Sequence, residues 1–188
     1  MKARRLVPAA RPSYLSAMLL RSPIVLAVLL AAAPALAAPA GKTPTAKSQA
    51  APPAPKEIGH FGHWIAASYV QAGQTVCYAF TRAGSDDPAT GNGPILTVTD
   101  RPGSRDEVAI SGAPAFPKDF TLPVSAASAN LDFYTSGHDA FARDNKAAVG
   151  AMLPASAAVA HLPGKGGALT FSLEGFKAAH DAIDKACR

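Results

Sequence analysis

The segment Gln74-Thr-Val-Cys-Tyr-Ala-Phe-Thr-Arg82 alternates with a period of two: Val76, Tyr78 and Phe80 fall on one side, Cys77, Ala79 and Thr81 on the other. An alternation of β-branched and aromatic residues with small ones predicts a strand that packs both faces. Working outward, the same reading predicts strands at Ile65–Val70, Pro94–Thr99, Glu107–Ser111, Phe120–Ser125, Asn130–Thr135, Ala157–Leu162 and Ala168–Leu173. Turn signals separate them at Gly73, Asn92-Gly93, Arg101-Pro102-Gly103, Ser136-Gly137 and Pro163-Gly164-Lys165-Gly166-Gly167. Short strands at this spacing point to a mainly β domain, an antiparallel β-sandwich or barrel.

Two segments break the strand period. Asp144 is placed to N-cap a short internal helix from Asn145 to Leu153, stopped by Pro154. Phe176, Ala179, Ile183 and Cys187 recur at spacings of three and four, which puts them on one face of a C-terminal helix, with Lys185 and Arg188 at its negative end. The domain contains only Cys77 and Cys187. In an oxidising compartment two unaccompanied thiols pair most simply with each other, and the helix face that carries Phe176 and Ile183 aims Cys187 at the sheet.

That compartment is indicated by the first 37 residues. Lys2, Arg4, Arg5, Arg11 and Arg21 precede the apolar run Pro23–Ala33, and Ala35-Leu36-Ala37 follows it. This is the layout of a cleavable secretory signal, with cleavage expected after Ala37. The run is shorter than the roughly 17–25 residues a membrane-spanning helix requires. Met18 opens a segment with the proportions of a complete signal, so translation starts at Met1 or Met18.

Residues 38–57 are rich in Pro, Ala and Lys and poor in residues that fill a core, which makes them a linker; a polyproline-like chain of this length spans roughly 60 Å. Residues 58–188 are left as one domain. The formal charge of +5 resides upstream: residues 1–57 hold eight of the basic residues and only Glu57 as an acid, whereas 58–188 hold ten basic and twelve acidic residues. A nucleic-acid partner is therefore not expected, since it requires a cationic footprint on the folded surface. The linker lysines give at most weak contact with an anionic membrane surface.

The order of several short pieces resembles the invasion-associated locus B family of alphaproteobacterial envelope proteins. These are Phe61-Gly62-x-Trp64, Val76-Cys77-Tyr78, Thr99-x-Arg101-Pro102, Glu107-Val108, Ala140-Phe141-Ala142-Arg143-Asp144, Ser172-Leu173-x-Gly175-Phe176 and Ala182-Ile183-Asp184-Lys185-Ala186-Cys187. His63 stands where members commonly have Asp, Phe141 where Trp is common, and Glu174 where a Ser would cap the last helix. The resemblance implies an exported, largely β domain and, in pathogenic members, a link to host-cell invasion and colonisation, hence to virulence. It brings no catalytic residues.

His60 and His63 lack a third ligand nearby in sequence, so no metal is expected; His138, Asp139, His161 and His180 are the residues that would have to supply it. His138-Asp139 lacks an activated nucleophile and reads as a turn. Asp86-Asp87 and Asp106-Glu107 are contiguous acids, read as surface charges rather than a glycosidase pair. Gly164–Gly167 lacks the spacing of a phosphate loop. Trp64 is expected in the core, and Arg143 in an ion pair across the domain. No catalytic, metal or cofactor residue is assigned. The expected function is that of a non-enzymatic binding protein of the periplasm or cell envelope, displayed on the outer surface or secreted in some settings, with an envelope or host protein as partner. The alternative is a small envelope hydrolase acting on a cell-wall or glycan polymer, and a stability factor with an exposed apolar groove is a third reading.

Overall fold

The computed structural model describes residues 54–188; the expected signal peptide and the expected linker up to residue 53 lie outside them. Ten strands form one sheet: β1 (Lys56–Phe61), β2 (Trp64–Gln71), β3 (Gln74–Arg82), β4 (Ile95–Arg101), β5 (Ser104–Ser111), β6 (Thr121–Ala126), β7 (Ala129–Ser136), β8 (Asp139–Ala142), β9 (Ala157–His161) and β10 (Ala168–Ser172). Helix α1 (Asn145–Met152) joins β8 to β9, and α2 (Phe176–Ala186) ends the fold. The strand order is β1-β2-β3-β4-β5-β8-β7-β6-β9-β10, and every neighbouring pair is antiparallel. A five-stranded meander is thus followed by a second meander laid down in reverse, so that β8 rather than β6 meets β5.

The strand and helix expectations hold for eight strands and both helices, with β3 matching end for end. Two strands escape the sequence pattern. β1, Lys-Glu-Ile-Gly-His-Phe, is an edge strand with a bulge between Glu57 and Gly59; it takes in Lys56 and Glu57, which the sequence assigns to the linker. β8, Asp-Ala-Phe-Ala, is four residues long and built half of alanine, too short for an alternation to stand out.

No ladder joins β1 to β10, so the sheet is open and sandwich-like rather than a closed barrel. It nevertheless curls until its last strand meets its third: the Gly84 N–H donates to the Thr170 carbonyl at 3.2 Å, just past the end of β3. The inward side chains form one core that includes Trp64, Leu96, Val98, Ile110, Leu122, Phe133 and Phe171. Helix α1 starts as expected: the Asp144 carboxylate accepts the Ala147 N–H at 2.9 Å, and Ala148, Val149 and Met152 are buried. Helix α2 buries Phe176, Ala179 and Ile183 over β1–β4. Among the described residues no helix is long and apolar enough to cross a membrane.

The chain's two ends are fastened together at two places. At the first, the β1–β2 turn meets the segment between β10 and α2. The Trp64 indole N–H donates to the Ser172 carbonyl at 3.0 Å, His63 N–H to the Glu174 carbonyl at 3.1 Å, and the Trp64 and Phe176 rings lie 4.8 Å apart. Gly175 begins α2 with φ 86° and no side-chain cap; a Cβ there would lie 1.9 Å from the Phe61 carbonyl oxygen. Gly62, at φ 57°, faces the Glu174 carbonyl less tightly, at 2.9 Å from its would-be Cβ.

At the second, Cys77 in β3 is bonded to Cys187, Cα to Cα 5.9 Å, closing 110 residues of separation. In the chain-entropy picture a loop of this size contributes roughly 4–5 kcal/mol. Beside it, Asp100, the register partner of Cys77, is 1% exposed. Asp100 Oδ1 accepts the Asp106 N–H at 2.9 Å, and the Arg105 guanidinium lies 3.0 Å from Oδ2 as an ionic contact without hydrogen-bond alignment. Arg105 also pairs with Asp184 and donates to the Cys187 carbonyl at 3.1 Å, so the β4–β5 hairpin caps the last turn of α2. A hydrogen bond from Arg188 and the charges of Arg188, Arg105 and His180 hold the Asp184 carboxyl below the usual carboxylate range.

Two predictions follow from these fastenings. Gly175→Ala, which adds both a positive-φ penalty of roughly 1–2 kcal/mol and a backbone clash, should lower the melting temperature sharply; Gly150→Ala, in open space on α1, should raise it by the equivalent of about 0.5–1 kcal/mol. Because the folded carboxyl of Asp184 is depressed, its contribution is present above the ordinary Asp value of about 3.9 and is lost as pH falls through the lower folded value. Asp184→Asn should therefore destabilise the protein at pH 7, and the difference should shrink progressively in thermal melts taken at pH values further below about 3.9.

Candidate functional site

The paired acids are separated by local backbone geometry. The β4–β5 register shifts between Thr99 and Arg101, and Asp106 takes φ 58°, so that neighbouring carboxylates are turned apart. Asp106 reaches α2, where its Oδ1 lies 2.6 Å from His180 Nε2, and Glu107 binds Arg101 at 2.7 Å and the Ser104 hydroxyl at 2.7 Å. Asp87 folds its own loop: the Ala89 N–H and the Thr90 hydroxyl donate to it and hold its carboxyl below the usual range.

The histidines are dispersed. His60 lies 3.4 Å from Glu57, His63 lies 3.5 Å from Glu174, and His138 Nδ1 is 2.8 Å from the Ala113 carbonyl, fastening the loop between β5 and β6. Asp139 opens β8. Among the described residues no group of three or more His, Cys, Asp or Glu is arranged to hold a metal ion. Gly164–Gly167 form the β9–β10 turn, with Gly166 N–H donating to the Pro163 carbonyl at 3.1 Å. Trp64 is fully buried, as its sequence context suggests. Arg143 departs from expectation: it makes no ion pair among the described residues and instead lies over the Tyr134 ring, 5.9 Å from its centroid.

Register brings together what linear spacing does not reveal. Ser125 Oγ and His161 Nε2 approach to 3.1 Å across β6 and β9, an exposed hydroxyl–imidazole contact. More extensive is a row on the outward face of the sheet, where Phe80, Thr97, Ala109, Phe141, Tyr134 and Thr121 are successive cross-strand partners over β3, β4, β5, β8, β7 and β6. Aromatic groups stand at both sides of this row. On β2–β3, Tyr69 meets Tyr78 edge-on at 5.8 Å and Tyr78 stacks on Phe80 at 6.1 Å, while burial and the neighbouring Tyr69 push the Tyr78 phenol up. On β7–β8, Tyr134 and Phe141 stack at 5.2 Å and 24°, with Tyr134 46% exposed. Between Phe80 and Phe141 lie three strand spacings, roughly 14 Å, floored by small residues.

The floor opens into a cleft of 290 Å³ lined by Thr99, Arg101, Glu107, Ala109, Tyr134, Phe141 and Asn145, among others. It exists because β8 is short. Only Ala109 and Ile110 of β5 pair with β8, after which the chain leaves at Ala142 for α1. The Val108 N–H left over is satisfied by Asn145 Oδ1 at 3.0 Å. A second cleft of 240 Å³, lined by Asn130, Asp132, Arg143, Asp144 and neighbours, adjoins it across Ala142. The arrangement offers a stacked aromatic pair and a paired guanidinium and carboxylate in the lining of one cleft.

The scattered sequence pieces also meet in pairs. Phe61–Trp64 joins Ser172–Phe176, Cys77 joins Cys187, and Arg101 joins Glu107. Compared with protein-family models, curated proteins and solved structures, the chain matches none.

Proposed function

We propose that this chain is an exported, envelope-associated binding protein of the invasion-associated locus B type, whose domain presents the outward β4-β5-β8-β7 face to a partner while the linker sets its reach. The observation that carries this reading is the cleft beside Tyr134: an exposed aromatic on regular strands, stacked on a second ring and sharing a cleft with polar side chains, is a preformed recognition surface. The Cys77–Cys187 bond supports an oxidising compartment. The sequence supports the rest: a secretory signal upstream and the order of the resembling pieces. In this reading residues 1–37 are removed, the periplasm or cell envelope is the working compartment, and host contact is the role of relatives that colonise.

The hydrolase alternative would need two carboxylates flanking the scissile bond, whereas Glu107 is the one carboxylate among the described residues that line the first cleft. That favours binding over turnover. N-terminal sequencing of envelope-extracted protein should begin at Ala38. Labelled full chain should sediment with isolated bacterial envelopes or host cells, and Tyr134→Ala should lower the bound fraction by about tenfold, as loss of a central aromatic anchor does, with an unchanged melting curve. Retention that is indifferent to Tyr134, or turnover of a cell-wall polymer lost on Glu107→Gln, would remove the proposal.

A further inference from the structure

The chemistry of the cleft narrows the class of ligand, and this step rests on the binding reading above. Its one guanidinium, Arg101, is held at 2.7 Å by Glu107, so the lining presents no uncompensated charge. In the adjoining cleft Arg143 stands with two carboxylates, Asp132 and Asp144. A phosphate, a nucleotide or an anionic lipid headgroup favours a lining with more cations than carboxylates, and in neither cleft do cations outnumber carboxylates. A lipid chain or drug-like apolar ligand requires enclosure of most of its surface. Here the apolar part is a single wall, Tyr134 on Phe141, with Tyr134 46% exposed and the Arg143 guanidinium 5.9 Å from its ring centroid.

What fits an apolar wall beside a balanced donor–acceptor rim is a neutral molecule with one apolar face and hydroxyls around its edge. A pyranose ring has this form: its axial C–H bonds present a face of slight positive charge to the negative face of an aromatic ring. Its hydroxyls both donate and accept, and so can use Glu107 as acceptor, Arg101 as donor, the Thr99 hydroxyl as either, and the Asn145 NH2 as donor, since the Asn145 carbonyl is taken by Val108. Ala109 on the floor leaves room for the ring to lie against the wall. The second cleft shares Ala142 with the first and offers a similar mixture of carboxylate, guanidinium and amide beside it, as a chain of sugars would need.

We therefore infer that the Tyr134–Phe141 cleft is a binding site for neutral saccharide chains. Two sources share this chemistry, neutral polysaccharides of the bacterial envelope and the neutral N-glycans of a host surface. Calorimetric titration of the full chain with cellotetraose and N-acetylchitotetraose as defined probes, then with a neutral envelope polysaccharide fraction and with desialylated N-glycans as separate arms, tests it. Saturable binding in at least one arm is expected, with affinity lowered about tenfold by Tyr134→Ala and restored by Tyr134→Phe or Tyr134→Trp. Val70→Ala, at an exposed site on β2 remote from the cleft, should leave it unchanged. Inorganic phosphate should not compete. The arm that binds identifies the source. Absence of saturable binding in every arm overturns the saccharide site; if retention on envelopes still depends on Tyr134, only the ligand class is wrong and the binding reading stands. Saccharide binding unaffected by Tyr134→Ala overturns this location.

Discussion

The fold depends on one close approach. Gly175, at the start of α2, packs its backbone directly on the carbonyl of Phe61, in a space that no Cβ can share. The contact fixes where the last helix begins relative to the first hairpin, and the surrounding interactions follow from it. Trp64 can then reach the Ser172 carbonyl and Phe176, and α2 runs across β1–β4 in the direction that delivers Cys187 to Cys77. The disulfide locks a geometry already chosen by backbone packing, and Arg105 completes it by binding the carbonyl end of the helix. Because both fastenings join the extreme ends of the domain, the curled sheet between them is held without a closing ladder.

That division leaves the far side of the sheet without a structural duty. Inward side chains from both meanders make the core, and α2 covers the strands nearest the fastenings. On the outward side, the short β8 interrupts the sheet and produces a recess that the ends of β4 and β5, the β7–β8 hairpin and the start of α1 all border. The residues around it stand on strands or at a helix start capped by Asp144, so their positions are fixed before any ligand arrives. A rigid recess lined by stacked rings and a paired Arg101–Glu107 suits recognition, and the ordering cost on binding is correspondingly small.

Local order was legible in the sequence wherever one element alone determines it. The alternation from Val76 to Thr81 gave β3 residue by residue, Asp144 announced α1, and the spacing of Phe176, Ala179 and Ile183 identified the buried face of α2. β1 and β8 were not legible, because a bulged edge strand with an internal glycine and a four-residue run of alternating Ala carry almost no periodic signal. The candidate site was illegible for a different reason. Tyr134 and Phe141 were each visible, Phe141 even as a departure from the resembling family, but their stacking is set by cross-strand register, which spacing along the chain does not encode. The same holds for Ser125 with His161 and for Asp106 with His180. The charge of Arg143 points to an acidic partner, and the neighbouring ring of Tyr134 takes that place.

The central claim is that the domain acts through its outward β4-β5-β8-β7 face. Hydrogen–deuterium exchange of the full chain, free and bound to isolated envelopes, tests this most directly. The account predicts that protection is gained within residues 99–109 and 132–145, with the first hairpin, residues 56–71, and helix α2 unchanged. Protection confined to α2 or to the first hairpin, with the Tyr134 face exchanging as in the free protein, would contradict it.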